Sequence, residues 1–419
     1  MNPDRSLDVR LYGARLGFVH QDARGRVSFT YEPNARDGDA VVPLSLSMPL
    51  GTPTYPPSKI VPFLEGLLPD NDEVRDAWAR RFEVSPRNAL ALLGNIGRDC
   101  AGAVEFLRDD ELDFGGGTRP LSDTDIGQRL RDLARDPTGW LVSGERWSLA
   151  GAQSKFTIAR RADGQWAEAW GSEPSTHIVK PGIGEYRQQA LVEHASMEAA
   201  RAVGLRAAKT EFREFDGETA LVVTRFDRRR ARDGRIVRVH QEDMCQALAV
   251  YPRQKYEASG GPSAAAIARL LRDVATDPEA DVWAFAQALV FNYLIGAPDA
   301  HAKNYSVALT PGLVRLAPLY DVASALPYDA VGDSEINQAA MSIGGRRVFG
   351  TVHGRHWDRL AGQLKIDAGR LRHEVRRQAE EIPSAFAAAL REVDASKLSD
   401  RLGPRLEHLC AATVTQLRD

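Results

Sequence analysis

Apolar and polar residues alternate with a period near two at the start of the chain, so Val9–Tyr12 and Arg15–His20 predict a hairpin around Gly13, continued by Val27–Tyr31. Six prolines between Pro43 and Pro62 then favour irregular or extended backbone. Phe63–Pro69 reads as a short buried turn of helix, and Asn71 is placed to cap a helix running to about Phe82. Ser85-Pro86 opens another through Leu93, stopped by Gly94, and the polar, Gly-rich run Asp109–Pro120 reads as a linker.

The period returns to two further on. Lys155–Arg160 and Gln165–Ala169 flank Ala162-Asp163-Gly164 as a hairpin, and His177–Lys180 is a third strand ended by Pro181-Gly182. Gln189–Val203 has helical spacing up to Gly204, and Glu211–Phe215 with Thr219–Phe226 makes a second hairpin. Beyond residue 240 helical patterns dominate: Glu242–Val250, Ala264–Ala275, Asp281–Ile295, His356–Leu364 and Gln378–Glu392. Val282–Ile295 is apolar nearly all round, which predicts a buried central helix. A polar loop, Asp299–Asn304, and a hairpin, Tyr305–Leu309 with Leu313–Ala317, interrupt this helical region just before Tyr320-Asp321. The pattern divides the chain into a leading region (1–110), a sheet-rich lobe (111–226) and a helical lobe (227–419).

Composition narrows the class without naming a chemistry. The 419 residues carry 54 Lys and Arg against 57 Asp and Glu, a net charge of −3, with 43% apolar residues. A sizeable core is affordable, and a broad nucleic-acid grip by this chain alone is disfavoured. Cys100, Cys245 and Cys410 are far apart and form no CxxC pair, which fits neither a disulfide framework nor a zinc ribbon. The polar start and the lack of any 18-residue apolar run predict no signal peptide and no membrane span, and point to a reduced, cytoplasmic protein.

Asp299-Ala300-His301-Ala302-Lys303-Asn304, followed by a hairpin and Asp321, is the most informative stretch. Moving a phosphoryl group from ATP needs a carboxylate to accept the hydroxyl proton, oxygen ligands for magnesium, and a lysine on the phosphates. Asp-x4-Asn, hairpin, Asp supplies the first two at protein-kinase spacing, although the HRD and DFG triplets of protein kinases are absent. The small-residue loop Ser148-Leu149-Ala150-Gly151-Ala152-Gln153-Ser154-Lys155 lets backbone amides approach phosphate oxygens. Lys180 ends the next strand, Glu193 on the following helix could hold it, and Thr224-Arg225-Phe226 stands where a hinge would meet adenine. Taken singly each has a plainer reading: Asp299 and Asn304 as loop residues bonding their own backbone, Lys180 as a solvated strand end, His301 as a structural imidazole, Arg228-Arg229-Arg230 with Arg232 as a solvated loop. His353-x-x-His356 could be a metal pair but has no third ligand beside it. It is the order of the elements that points to a kinase.

At these residues the chain resembles the HipA family, serine/threonine kinases that act as toxins of type II toxin–antitoxin modules. Further matching stretches are Pro43–Leu50, Phe63–Pro69, Gly97–Ala103, Thr176–Lys180, Arg225–Arg228 and Gln241–Gln246. The resemblance implies an α+β, bilobal protein-kinase-like fold: a small antiparallel-sheet lobe, a mostly helical C-terminal lobe, and an extra N-terminal α/β subdomain. It implies ATP and Mg2+, with Asp299 as base, His301 beside it, and Asn304 and Asp321 as metal ligands. Nucleotide contacts would come from Ser148, Ala150, Gly151, Ala152, Gln153, Lys155, Lys180, Thr224, Phe226, Gln241, His301 and Lys303. Ser148 falls at the family's autophosphorylation position. The implied partners are a HipB-type helix-turn-helix antitoxin, operator DNA mainly through it, and an aminoacyl-tRNA synthetase as substrate. Thr224 departs from the glutamate expected in the hinge-like strand. Two other readings stand beside the kinase: a nucleotide-binding scaffold or co-repressor without turnover, and a metal-dependent hydrolase using Asp299, His301 and Asp321.

Overall fold

Tyr12 and Gly13 both take positive φ, 55° and 79°, so the first predicted hairpin closes through the tight turn whose twist suits antiparallel strands. The computed structural model describes residues 5–35, 41–108, 115–142, 144–184, 186–328 and 335–418. By contact density the chain forms two compact units, Met1–Pro181 with Arg213–Arg253 and Val307–Val314, and Gly182–Phe212 with Gln254–Ser306 and Arg315–Asp419.

The first unit is built on two antiparallel sheets. Five strands run in the order Thr54–Tyr55, Val27–Tyr31, Ala14–Gln21, Arg5–Leu11, Val104–Leu107. Their alternate residues Leu7, Val9, Val19 and Phe29 are buried against Pro57–Gly66, a helix where prolines had predicted irregular chain. Pro57 starts that helix at a position where its missing N–H costs nothing. Asn71 caps Asp72–Phe82 as predicted, its Oδ1 accepting from the amides of Glu73 and Val74. The next helix is Ala89–Ile96, capped by Asn88 rather than Ser85, and it passes through Gly94.

The second sheet has the order Thr210–Phe215, Glu218–Thr224, His177–Lys180, Phe156–Arg160, Trp166–Trp170, Gly117–Pro120. Its edge strand is the end of the predicted linker, pairing Gly117–Pro120 with Trp166–Trp170; residues 109–114 of that linker lie outside the described chain. A helix not anticipated above, Asp123–Arg135, follows with a Ser122/Asp125 capping box. Trp78, Trp140 and Trp147 pack in one cluster, with centroids 6.3–6.5 Å apart, and tie the leading region to the loop beginning at Ser148.

Two expectations for residues 225–250 are corrected. Glu242–Val250 is not a helix: His240–Asp243 is a strand, and a single turn, Met244–Ala247, follows it. Gln246 instead reaches back, its Nε2 donating to Phe63 O at 2.9 Å. Arg228 is not solvated. It is buried with Arg225 among Asp99 and Asp227, at N–O distances of 2.7–3.2 Å, whereas Arg229, Arg230 and Arg232 face water. The same carboxylates bind Gly102 N and Ser175, so the stretches 99–102 and 225–228 form one ionic core.

Glu242 is fully buried, with Oε1 accepting from Leu46 N at 2.7 Å, and burial pushes its carboxyl up to about 8. A carboxyl raised in the folded state stabilises most below its unfolded value and loses that contribution as pH rises through the folded value. Glu242→Gln is therefore expected to gain stability over the parent progressively between about pH 4.5 and 8, by on the order of a few kcal/mol at the upper end. Denaturant midpoints at pH 5 and pH 8 check this; equal differences at both would refute it.

The second unit is mainly helical: Gln189–Ala202, Ala264–Val274, Pro278–Leu294, Gly354–Leu364, Ala368–Glu392 and Ser396–Gln416. The predicted Val282–Ile295 stretch falls in the helix Pro278–Leu294 and its cap and is largely buried, with Val282, Phe285 and Phe291 inaccessible, while Glu279 and Ala280 in the first turn are exposed. The last helix was not expected, and Ala368–Glu392 begins ten residues before the predicted Gln378. His353 and His356 cap Gly354–Leu364, His356 Nδ1 accepting from His353 N at 3.0 Å. That ring nitrogen is thus tied to a backbone amide rather than turned to a metal. All three cysteines are free and buried. No helix among the described residues is long and apolar enough to cross a membrane.

Candidate active site

The loop carrying Asp299 is aimed by the end of the buried helix. Gly296 turns the chain at φ 60°, against the Leu326 side chain, where a Cβ would come within 2.8 Å. The next residues fold on themselves: His301 N donates to Asp299 O, and Asn304 N to His301 O, both at 2.9 Å, closing the single 3-10 turn Ala302–Asn304. The Asn304 side chain then joins the two acids. Its Nδ2 donates to Asp299 O at 2.7 Å and to Asp321 O at 3.4 Å.

Asp321 is held from the other side. Leu319 N donates to Arg206 O, and Ala208 N to Leu319 O, each at 2.8 Å, while Tyr320 Oη donates to Lys303 O at 2.7 Å. The chain leaves this pinned stretch with Asp321 at φ 58°, a left-handed conformation uncommon outside Gly, Asn and Asp. Under the loop, buried Asp281 accepts from Arg315 Nε at 3.0 Å and Leu316 N at 3.0 Å, fixing the strand that leads to Tyr320.

The electrostatics of the loop are uneven. The Asp299 side chain is 65% exposed, whereas that of His301, with Nε2 3.7 Å from Asp299 Oδ1, is 5% exposed. Burial pushes the imidazole down to about 4. Lys303 and Asn304 are buried beside it, and Asp321 is exposed. Tyr256, which sequence spacing did not single out, donates its hydroxyl to Asp299 Oδ1 at 2.5 Å.

The other predicted nucleotide contacts lie in the first unit, whereas Glu193, expected to hold Lys180, is buried in the second, its Oε2 accepting from Gln189 Nε2 at 3.3 Å. Ser148 is buried and its hydroxyl donates to Leu67 O at 2.7 Å. Trp147-Ser148 pairs in parallel with Asp99-Cys100, and Asp70 N donates to Gly151 O. Gly151 has φ 100°, and a Cβ there would meet Lys155 Nζ at 2.6 Å, so the loop requires glycine. Lys155 Nζ donates to Ala150 O at 2.6 Å and lies 4.9 Å from the centre of the Trp140 ring. Gln153 Nε2 reaches Pro181 O, next to Lys180. In this conformation the loop is folded back on its own carbonyls. Lys180 is buried at its strand end, paired in register with Leu221, and His177 of the same strand pairs with Thr224. Phe226 and Gln241 are half-buried, as is Thr224. Asp299, His301, Lys303, Asn304 and Asp321 are therefore brought together in one unit, and Ser148–Lys155, Lys180, Thr224, Phe226 and Gln241 belong to the other.

The donor set fits a magnesium ion. The Asn304 amide nitrogen is engaged by two carbonyls, one of them that of Asp321, so its oxygen is the end left to act as a ligand. Among the described residues no group of three or more His, Cys, Asp or Glu is gathered as a metal cage. One or two carboxylates completed by substrate phosphates is how magnesium is usually bound.

A sequence model of the HipA-like C-terminal domain matches residues 147–388, and one of the HipA N-terminal domain matches residues 7–107. The chain belongs to the HipA family. Its relatives in that family include a putative kinase of Sinorhizobium fredii, Y4mE, 35% identical over 396 residues, covering 93% of this chain and 92% of that protein. The serine/threonine-protein kinase toxin HipA of Shewanella oneidensis is 32% identical over 360 residues, 83% of this chain and 81% of that one. A solved structure described as the Shewanella oneidensis toxin–antitoxin complex of HipA, HipB and operator DNA matches with a TM-score of 0.86 at 27% identity, covering 98% of each chain. The kinase-like α+β HipA fold expected from the sequence is thus the fold of this chain.

Proposed function

We propose that this HipA-family chain transfers the γ-phosphoryl group of ATP to a serine or threonine hydroxyl of a protein. The observation that supports this most is the Asn304 side chain joining the backbone carbonyls of Asp299 and Asp321, which gathers a carboxylate proposed as base and one proposed as ligand on a single amide. Asp299 takes the proton from the attacking hydroxyl as its oxygen bonds to the γ-phosphorus and the bond to the ADP oxygen breaks. Asn304 Oδ1 and Asp321 would hold Mg2+, which when bound neutralises charge on the β- and γ-phosphates. Lys180 pairs with the phosphates, and the amides of Ala150–Gln153 close over them once Lys155 exchanges the Ala150 carbonyl for phosphate. Thr224 and Phe226 meet the adenine, and Gln241 and Lys303 complete the nucleotide contacts.

The substrate class proposed is an aminoacyl-tRNA synthetase, with a HipB-type antitoxin as neutralising partner and operator DNA reached mainly through it. The similar structure, a Shewanella oneidensis complex of HipA, HipB and operator DNA, supports the partner, and the net charge of −3 suits DNA contact made by another chain. Ser148 is proposed as the self-phosphorylated residue. Its hydroxyl is buried on Leu67 O, so the loop must leave that seat before the serine can react, and a dianionic phosphate cannot return to it. Incubation with γ-labelled ATP and magnesium should label Ser148, and Ser148→Ala should lose self-labelling while still phosphorylating a synthetase. Magnesium-dependent ATP binding with no transfer to either acceptor would favour the scaffold reading instead.

A further inference from the structure

The base in this loop is exposed, and an exposed aspartate samples several rotamers unless something holds it. Among the described residues, the Tyr256 hydroxyl is the side-chain donor within hydrogen-bond reach of the Asp299 carboxylate; His301 Nε2 stops at 3.7 Å. Tyr256 lies 43 residues before Asp299 and is itself firmly seated. Glu257, its neighbour, accepts from the backbone amide and, at 3.1 Å, the hydroxyl of Ser342. Lys255 O accepts from Ala302 N at 3.3 Å, so the segment is fastened to the Asp299–Asn304 loop before the tyrosine and to the strand Gln338–Ile343 after it. Gly261 N donates to Tyr256 O at 3.0 Å, and a Cβ on Gly261 would come within 2.0 Å of Gln254 O, so only glycine closes this turn. The tyrosine ring stands edge-on to His301, 5.0 Å between centroids and 81° between planes.

These contacts make Lys255–Gly261 a bracket with one polar tip, and the tip touches a single oxygen of the base. We propose that Tyr256 is a positioning residue: by holding Asp299 Oδ1 it presents Oδ2 to the hydroxyl that is to be phosphorylated. Tyr256 then need not touch the substrate itself; it acts through the carboxylate, and a donor on Oδ1 leaves the lone pairs of Oδ2 for the incoming proton. This rests on the kinase reading for its rate effect but not for its geometry.

Tyr256→Phe keeps the ring against His301 and removes only the hydroxyl. With the full-length protein, kcat is expected to fall roughly ten- to a hundred-fold, as for a misplaced catalytic group, with KM for ATP within about twofold. A crystal structure of the same variant should show the Asp299 carboxylate moved from its place or spread over more than one rotamer. An unchanged kcat in an active enzyme would overturn the proposal, as would KM and thermal stability failing together with kcat, since that marks a structural role. If the parent chain shows no transfer at all, the kinase reading fails separately. The crystal structure then still decides, because an Asp299 carboxylate unmoved in Tyr256→Phe refutes positioning.

Discussion

Replacing Asp299 by asparagine should reduce phosphoryl transfer by about 10^2- to 10^4-fold, the range lost when a general base is removed, while leaving nucleotide affinity within about threefold. The substitution is unusually clean here. Asn304 bonds the backbone carbonyl of Asp299, not its side chain, and Tyr256 can donate to an amide oxygen as well as to a carboxylate. What disappears is the carboxylate proposed to accept the proton. Labelled phosphate incorporation checks the rate, and calorimetric titration with a non-hydrolysable ATP analogue checks the affinity. Retention of most of the transfer would remove Asp299 from the chemistry and, with it, the proposed mechanism.

A comparable loss of stability is expected from Asp227→Ala. Arg225 and Arg228 have side chains only 1% exposed, and Asp227 meets both, at 2.9 and 3.0 Å, and also accepts from Gly102 N at 2.7 Å. Burial alone would raise the Asp227 carboxyl; the two guanidiniums outweigh it and hold it below the ordinary carboxylate range. The contribution of this carboxylate is therefore present above about pH 4 and lost as pH falls through its folded value. Removing it leaves two buried guanidiniums sharing Asp99, at a cost of about 3–5 kcal/mol. That is a large share of a typical folding free energy of about 5–15 kcal/mol. Urea unfolding at pH 7 measures it; a change below about 1 kcal/mol would mean that water or Asp99 compensates.

The same ionic core shows where reading from sequence stops. Asp-x4-Asn is local, so spacing alone placed Asp299 and Asn304 on one turn, and a short hairpin brought Asp321 to them. Arg228 looked solvated because it follows Asp227 in a run of arginines, and its other acid, Asp99, is 129 positions away. Tyr256 carried no signal for the same reason: nothing in Gln254-Lys255-Tyr256-Glu257 says which carboxylate it will meet. Ser396–Gln416 is a different failure. Leu398, Leu402, Leu406 and Leu409 repeat at helical spacing and are buried, yet Pro404 sits inside the helix and normally argues for a break. Ser148 reads as the start of a small-residue loop but ends the short strand Trp147–Ser148, and its burial depends on Leu67, which no local pattern connects to it.

The division of the chain into units also governs how it can be made. The first unit takes its last piece, Val307–Val314, from between two stretches of the second, Gln254–Ser306 and Arg315–Asp419. The strand His240–Asp243 has its sheet neighbour in Ser306–Thr310. During synthesis that strand emerges with an open edge and must wait for more than sixty further residues before it is covered. At a typical elongation rate of about 5–20 residues per second this is a delay of several seconds, long compared with the closing of local hairpins. A nascent chain of this protein is thus exposed to mispairing or to a chaperone in a window that its finished form does not reveal.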